Sequence, residues 1–139
     1  MDTFSVLTIQ LARIYGIVVL TAALAALLSP KRMGLIFADF ESSPGLTFMA
    51  ARFALIHVLV MVVVHNLWTD FAAIFVSLFG WIVLIKGILL LAAPDGLLRF
   101  ATASASSTAR IRLWGIAALV LAAILLILGI ASRATAVSL

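Results

Sequence analysis

Apolar positions fall along the chain in four blocks, near residues 8–28, 46–66, 71–92 and 111–131. Each block has about the 20 residues with which one helix crosses about 30 Å of hydrocarbon. The polar positions between them read as helix stops and starts. The first block ends at Ser29-Pro30, followed by Lys31 and Arg32. The second opens with Ser42-Ser43-Pro44, an N-cap with proline at the first helical position. Asn66 can close it in a left-handed conformation, and Thr69-Asp70 can cap the third. The third stops at Ala93-Pro94-Asp95-Gly96, and Ser106-Ser107-Thr108 precede the fourth. The pattern predicts an all-α membrane protein with four transmembrane helices in a single integral membrane domain.

The connections alternate in length. Residues 65–70 form a tight turn, whereas residues 31–43 and 95–108 are longer and semi-apolar. In the first of these Met33, Ile36, Phe37 and Phe40 recur at helical spacing, and in the second Leu97, Leu98 and Ala101 do so. Both can lie as short amphipathic helices in the headgroup layer, with ordinary loops as the other reading.

Helices in lipid associate by close backbone approach, so small residues mark their contacts. The stripes run Ala12-Gly16-Val19-Ala23-Ala26, Ala50-Ala54-His57-Met61-Val64, Ala73-Ser77-Gly80-Leu84-Gly87 and Gly115-Ala118-Ala122-Leu125-Gly129-Ser132. A seam with this spacing predicts a left-handed bundle with crossings near about +20°. A shift of 64 residues sets Gly16 on Gly80, Val19 on Val83, Leu20 on Leu84, Leu27 on Leu91, Pro30 on Pro94 and Tyr15 on Phe79. Read as a duplication, this predicts two tandem helical hairpins related by an axis along the membrane normal.

Composition fits lipid as the solvent. The chain is 66% hydrophobic and 10% charged, against about 45–50% and about 25% in soluble domains. The net charge of +4 rests on few, scattered cations and does not point to nucleic acid. Its use is topological. Lys31, Arg32, Arg99, Arg110 and Arg112 lie on the two long connections, with Arg52 near them, against Arg13 and Arg133 on the other side. This bias places the long connections in the cytoplasm and both termini outside. There is no cysteine, hence no disulfide or thiolate chemistry. The N-terminus has no basic segment before its apolar run, so an uncleaved first helix is expected.

Few polar groups fall inside the blocks. His57 lies near the middle of the second, on its small-residue stripe, and is the candidate buried polar site. A proton relay, a quinone contact or a metal ligand competes there with a neutral imidazole bonded to a neighbouring helix. His65 lies about 12 Å along the same helix, so the two histidines cannot take opposite faces of one iron. A single-chain zinc site lacks ligands. His65, Asn66, Trp68 and Asp70 form the outer-interface turn, either an aromatic-belt anchor or a small polar pocket. Lys86 shares a helix face with Phe75 and Phe79, away from the small-residue stripe, and Arg52 lies at similar depth off its own stripe. These four residues are candidate contacts to lipid or to a partner subunit, since a lysine about 9 Å inside a span can extend its ammonium to the interface.

The segments LARIYG, HNLW and GWIVLIKG followed by Pro94 resemble small bacterial inner-membrane proteins with four predicted spans, a group of uncharacterised activity. The resemblance implies the bacterial cytoplasmic membrane and no catalytic residue. No catalytic cluster, metal set or cofactor is expected from the residues. The expected role is non-enzymatic: an accessory or scaffold subunit of a larger membrane assembly such as a bioenergetic complex. Its partners would be membrane lipids and a protein partner or further copies of itself. A small oligomeric transporter or channel is the alternative, and a quinone- or lipid-binding component the second alternative.

Overall fold

A computed structural model describes the backbone of residues 3–137 and the side chains of residues 6–131. Among the described residues six helices follow one another: α1 (Thr3–Leu28), α2 (Pro30–Ser42), α3 (Pro44–Val64), α4 (Phe71–Ala92), α5 (Pro94–Ser104) and α6 (Thr108–Val137). The described residues contain no strand. Among the described residues four segments are long and apolar enough to cross a membrane: Val6–Leu28, Pro44–Val64, Phe71–Ala92 and Thr108–Ala131. The protein is therefore a multi-pass membrane protein, and its many outward leucines, isoleucines and valines face hydrocarbon.

The helix ends follow from local chemistry. All three prolines of the sequence stand at the first residue of a helix, at Pro30, Pro44 and Pro94, where a missing N–H costs no intrahelical bond. Ser43 caps α3 by accepting from the Leu46 N–H, and Asp70 caps α4 by accepting from the Ala73 N–H at 2.8 Å. The end of α3 differs from expectation. No non-glycine residue among those described has positive φ; α3 closes instead at His65, with φ −130° and its N–H on the Met61 carbonyl. Asn66 is thus not a left-handed cap. The two semi-apolar connections are helical, as α2 and α5.

The spans make their close approaches in the order α6, α1, α4, α3, with α1 lying along α6 over the longest contact. The 64-residue repeat is visible in the helix boundaries: Leu28 and Ala92 end α1 and α4, Pro30 and Pro94 start α2 and α5, and Pro44 and Thr108 start α3 and α6. The halves interlock instead of standing side by side as two hairpins. The last span of each half packs on the first span of the other, and repeat-related Tyr15 and Phe79 meet edge to face at 5.6 Å between α1 and α4. Connection length explains the exchange. A 13-residue α2, about 20 Å long, gives α3 room to stand off from α1, with Tyr15 and His57 meeting across the gap. The short turn after Val64 leaves α4 no choice but α3.

Glycine notches set the packing. A Cβ at Gly16 would fall 2.7 Å from Leu126 Cγ, one at Gly80 3.2 Å from the Met61 Sδ, and one at Gly115 3.0 Å from Leu27 Cγ. Large side chains of one helix therefore fill gaps in its neighbour. Three of the four small-residue stripes lie in these contacts, with Ser132 outside the described side chains. Of the second stripe only Met61 is buried as expected. Thr47, Ala51, Val58, Met61 and Val62 are the buried positions of α3, whereas Ala54, His57 and Val64 are exposed. Leu55, Met61 and Val62 enter the notches at Gly87 and Gly80, so α3 presents bulk, not smallness, to α4.

Candidate functional site

Two of the places where polar side chains gather involve the sequence-predicted histidines. The first is the end of the molecule that carries the 65–70 turn. His65, expected at the interface with its turn neighbours, points inward and is 1% exposed. The Ser77 hydroxyl donates to the Leu67 carbonyl at 2.8 Å and accepts from the Leu67 N–H at 3.1 Å. With its proton committed, Ser77 Oγ can only accept from the ring, so His65 Nδ1–H donates to it at 3.2 Å. In the neutral ring Nε2 is then the acceptor for the Thr8 hydroxyl, 2.7 Å away. Burial pushes the imidazole pKa down, opposed by a backbone hydrogen bond and by the nearby Asp70 charge. One side chain at the end of α3 thereby joins α1, α4 and the turn.

The same crossing is pinned differently in the other half. Arg13 and Gly129 lie 64 residues from Ser77 and His65 respectively, and Arg13 Nε donates to the Gly129 carbonyl at 2.8 Å. A Cβ at Gly129 would sit 2.7 Å from Arg13 Cγ, so the glycine is what lets the arginine lie across α6. Neither Thr8 nor Ser77 as a hydrogen-bonding partner was legible beforehand; Ser77 read only as a small residue in a stripe. The remaining turn residues separate. Asn66 Oδ1 accepts from Trp68 Nε1 at 2.9 Å and Trp81 Nε1 at 3.3 Å, while Asp70 is spent on the α4 cap. They form an anchor of two indoles, not a pocket shared with Asp70.

The second place is a groove of about 680 Å³ between α1 and α3, a size within the usual ligand-pocket range of about 300–1,000 Å³. Leu11, Ile14, Phe53, Ile56 and Val60 make its walls, and Tyr15 and His57 are its polar groups. His57 is a correction to expectation: it is exposed on the groove and not buried in the bundle. The cause is the rotated packing face of α3, which turns Val58 inward and its neighbour outward. Tyr15 is 7% exposed, with its ring against the rings of His57 at 5.8 Å and Phe79 at 5.6 Å. Neither Tyr15 nor His57 has a hydrogen bond among the described residues, and no side-chain polar atom is both buried and unpaired. The tyrosine hydroxyl therefore opens on the groove.

The repeat-related positions of this polar pair are Phe79 and Leu121, both packed against the apolar core. The fold needs no polar side chain at either position, since the other half uses none. The expected outward face of α4 is also corrected. Lys86 and Arg52 are exposed as expected, but Phe75 and Phe79 are half-buried against the core. Phe79 is drawn in by Tyr15 across the α1–α4 contact. Among the described residues no three of the histidines and carboxylates converge to hold a metal. Comparison with family models, with curated proteins and with solved structures finds no match for this chain.

Proposed function

We propose that the protein is a non-catalytic subunit that scaffolds a larger membrane assembly, and that the groove between α1 and α3 seats a helix of its partner. One observation carries this reading: Tyr15 and His57 face an open apolar groove near mid-span without a side-chain hydrogen-bond partner among the described residues. Water is scarce at that depth, and an unpaired polar group in hydrocarbon costs about 2 kcal/mol or more. The lining of α3 runs from Phe53 to Val64, about 16 Å of helix. That suits a second helix better than a compact ligand. A partner helix bearing a hydroxyl or amide satisfies both groups while covering the walls.

Orientation belongs to the same proposal. The face built by α2 and α5 holds most of the cations and is assigned to the cytoplasm, with both termini outside; the location is the bacterial inner membrane.

Photo-cross-linkers placed at Ile56 and Val60 test the seat, with Ile127 on the outer face of α6 as control. The expected result is a discrete protein adduct from the two groove positions only. His57→Leu should weaken it by about three- to tenfold, the range measured for hydrogen bonds between membrane helices. A chain that stays alone in several mild detergents, with no groove adduct, overturns the reading. A copurifying quinone would move the groove to a small apolar ligand. Ion flux through vesicles holding this chain alone, lost in His57→Ala, would move it to transport.

A further inference from the structure

At the end of the molecule opposite the histidine cluster, the start of α2 and the start of α6 enclose a hollow of about 460 Å³. Its polar lining is Ser29, Lys31, Arg32, Thr108 and Arg112, and Leu28 closes its apolar side. Three cations thus converge on one cavity without a carboxylate in its wall. None of the three has a hydrogen bond or ion pair among the described residues. Arg110, on the same face, is occupied: its guanidinium donates to the Ala103 carbonyl and the Ser106 hydroxyl.

The repeat supplies an internal control. Pro94, Asp95, Pro44 and Phe48 line a second hollow, and they lie 64 residues from Pro30, Lys31, Thr108 and Arg112. The same corner of the fold is therefore built twice. In the second copy Lys31 and Arg112 are replaced by Asp95 and Phe48, Arg32 has only Gly96 at its related position, and Glu41 joins the wall. The backbone corner demands no positive charge, so the three cations at the first corner are a property of that corner alone.

We propose that this hollow binds the phosphate of an anionic phospholipid. The position argues for lipid as the source. The hollow lies where two apolar spans end, at Leu28 and at Thr108, the depth at which headgroup phosphates sit in a bilayer. Leu28 is 78% exposed beside it and offers acyl chains an apolar surface. Lys31, Arg32 and Arg112 give the phosphate oxygens several charged donors, with the Ser29 and Thr108 hydroxyls beside them.

The test uses the full chain in detergent micelles, where membrane insertion plays no part, titrated with phosphatidylglycerol or with phosphatidylcholine. Lipid adducts are counted by native mass spectrometry. The expected result is selective retention of phosphatidylglycerol. Lys31→Gln/Arg32→Gln/Arg112→Gln should weaken it about a hundredfold, at about fivefold per cation. Arg99→Gln/Arg110→Gln should leave it unchanged, and Lys31→Arg/Arg32→Lys/Arg112→Lys should retain most of it. Helical content by circular dichroism checks that each variant is folded. Equal loss in the two glutamine variants would show diffuse surface charge and overturn the site. Displacement of the lipid by millimolar inorganic phosphate would overturn the lipid as its source.

Discussion

Gly16→Leu is expected to separate α1 from α6 and to destabilise the protein by about 3 kcal/mol, at the upper end for overpacked sites. The added side chain would begin 2.7 Å from Leu126 Cγ and 3.2 Å from the Leu126 backbone nitrogen. The leucine side chain can rotate away, but the backbone cannot, and α1 and α6 share the longest contact in the molecule. Intrinsic helix propensity works in the opposite direction, favouring leucine over glycine by about 0.7 kcal/mol. A net loss therefore measures the packing term. Gly45→Leu and Gly96→Leu are the controls, since nothing lies within 4 Å of a Cβ at either position. With no packing term to oppose it, each should at most gain the helix-propensity difference of about 0.7 kcal/mol and lose no stability. Equilibrium unfolding in detergent, followed by circular dichroism, reads all three. Equal stability of Gly16→Leu and the controls would mean that α1 and α6 do not pack as described.

His65 carries the second large effect, and it has a pH signature. Ser77→Ala should cost about 2–3 kcal/mol, because it strips partners from buried His65 Nδ1 and from both Leu67 backbone groups. His65→Leu should cost less, since Ser77 keeps its two bonds to Leu67. The pH dependence follows from the lowered imidazole pKa, whose first cause is burial. The unfolded chain binds the proton more readily, with a pKa of about 6.5. Stability is then complete above about pH 6.5 and falls as pH drops toward the folded-state pKa, at no more than about 1.4 kcal/mol per pH unit for one proton. In His65→Leu the fall in stability below about pH 6.5 should vanish. An unchanged slope in that variant would remove His65 as its source.

The small-residue stripes show how far a sequence reading reaches. On α1, α4 and α6 the stripe residues Gly16, Gly80 and Gly115 lie in the contacts, because a missing side chain is a feature that sequence displays directly. On α3 the reading is met only at Met61, which turns inward as expected, while Ala54, His57 and Val64 do not. Ala50, Ala54 and His57 match the spacing as well as Ala51 and Val58 do. Only the notches at Gly80 and Gly87 on α4 decide which set turns inward. The misplacement of His57 follows from that single rotation, and so does the burial of His65 two turns later. The charge on Lys86 shows the converse case: its outward direction was fixed by its angle from the Ser77–Gly80–Gly87 stripe, and it is exposed.

The sequence left open whether the two long connections are helices or loops. What it determined by itself is four apolar runs long enough to cross hydrocarbon and the approximate positions of their ends, the close of α3 excepted. These are local consequences of chain length, proline position and apolar runs. The tertiary structure alone decided that the halves interlock, that His65 joins Thr8 to Ser77, that Tyr15 and His57 share a groove, and that three cations meet at one corner. Those facts depend on which helix lies beside which. In a bilayer, where lipid tails are as apolar as the side chains, that choice rests on shape and on a few hydrogen bonds. Both act between residues far apart in the chain, and hydrophobic patterning along one segment carries no record of them.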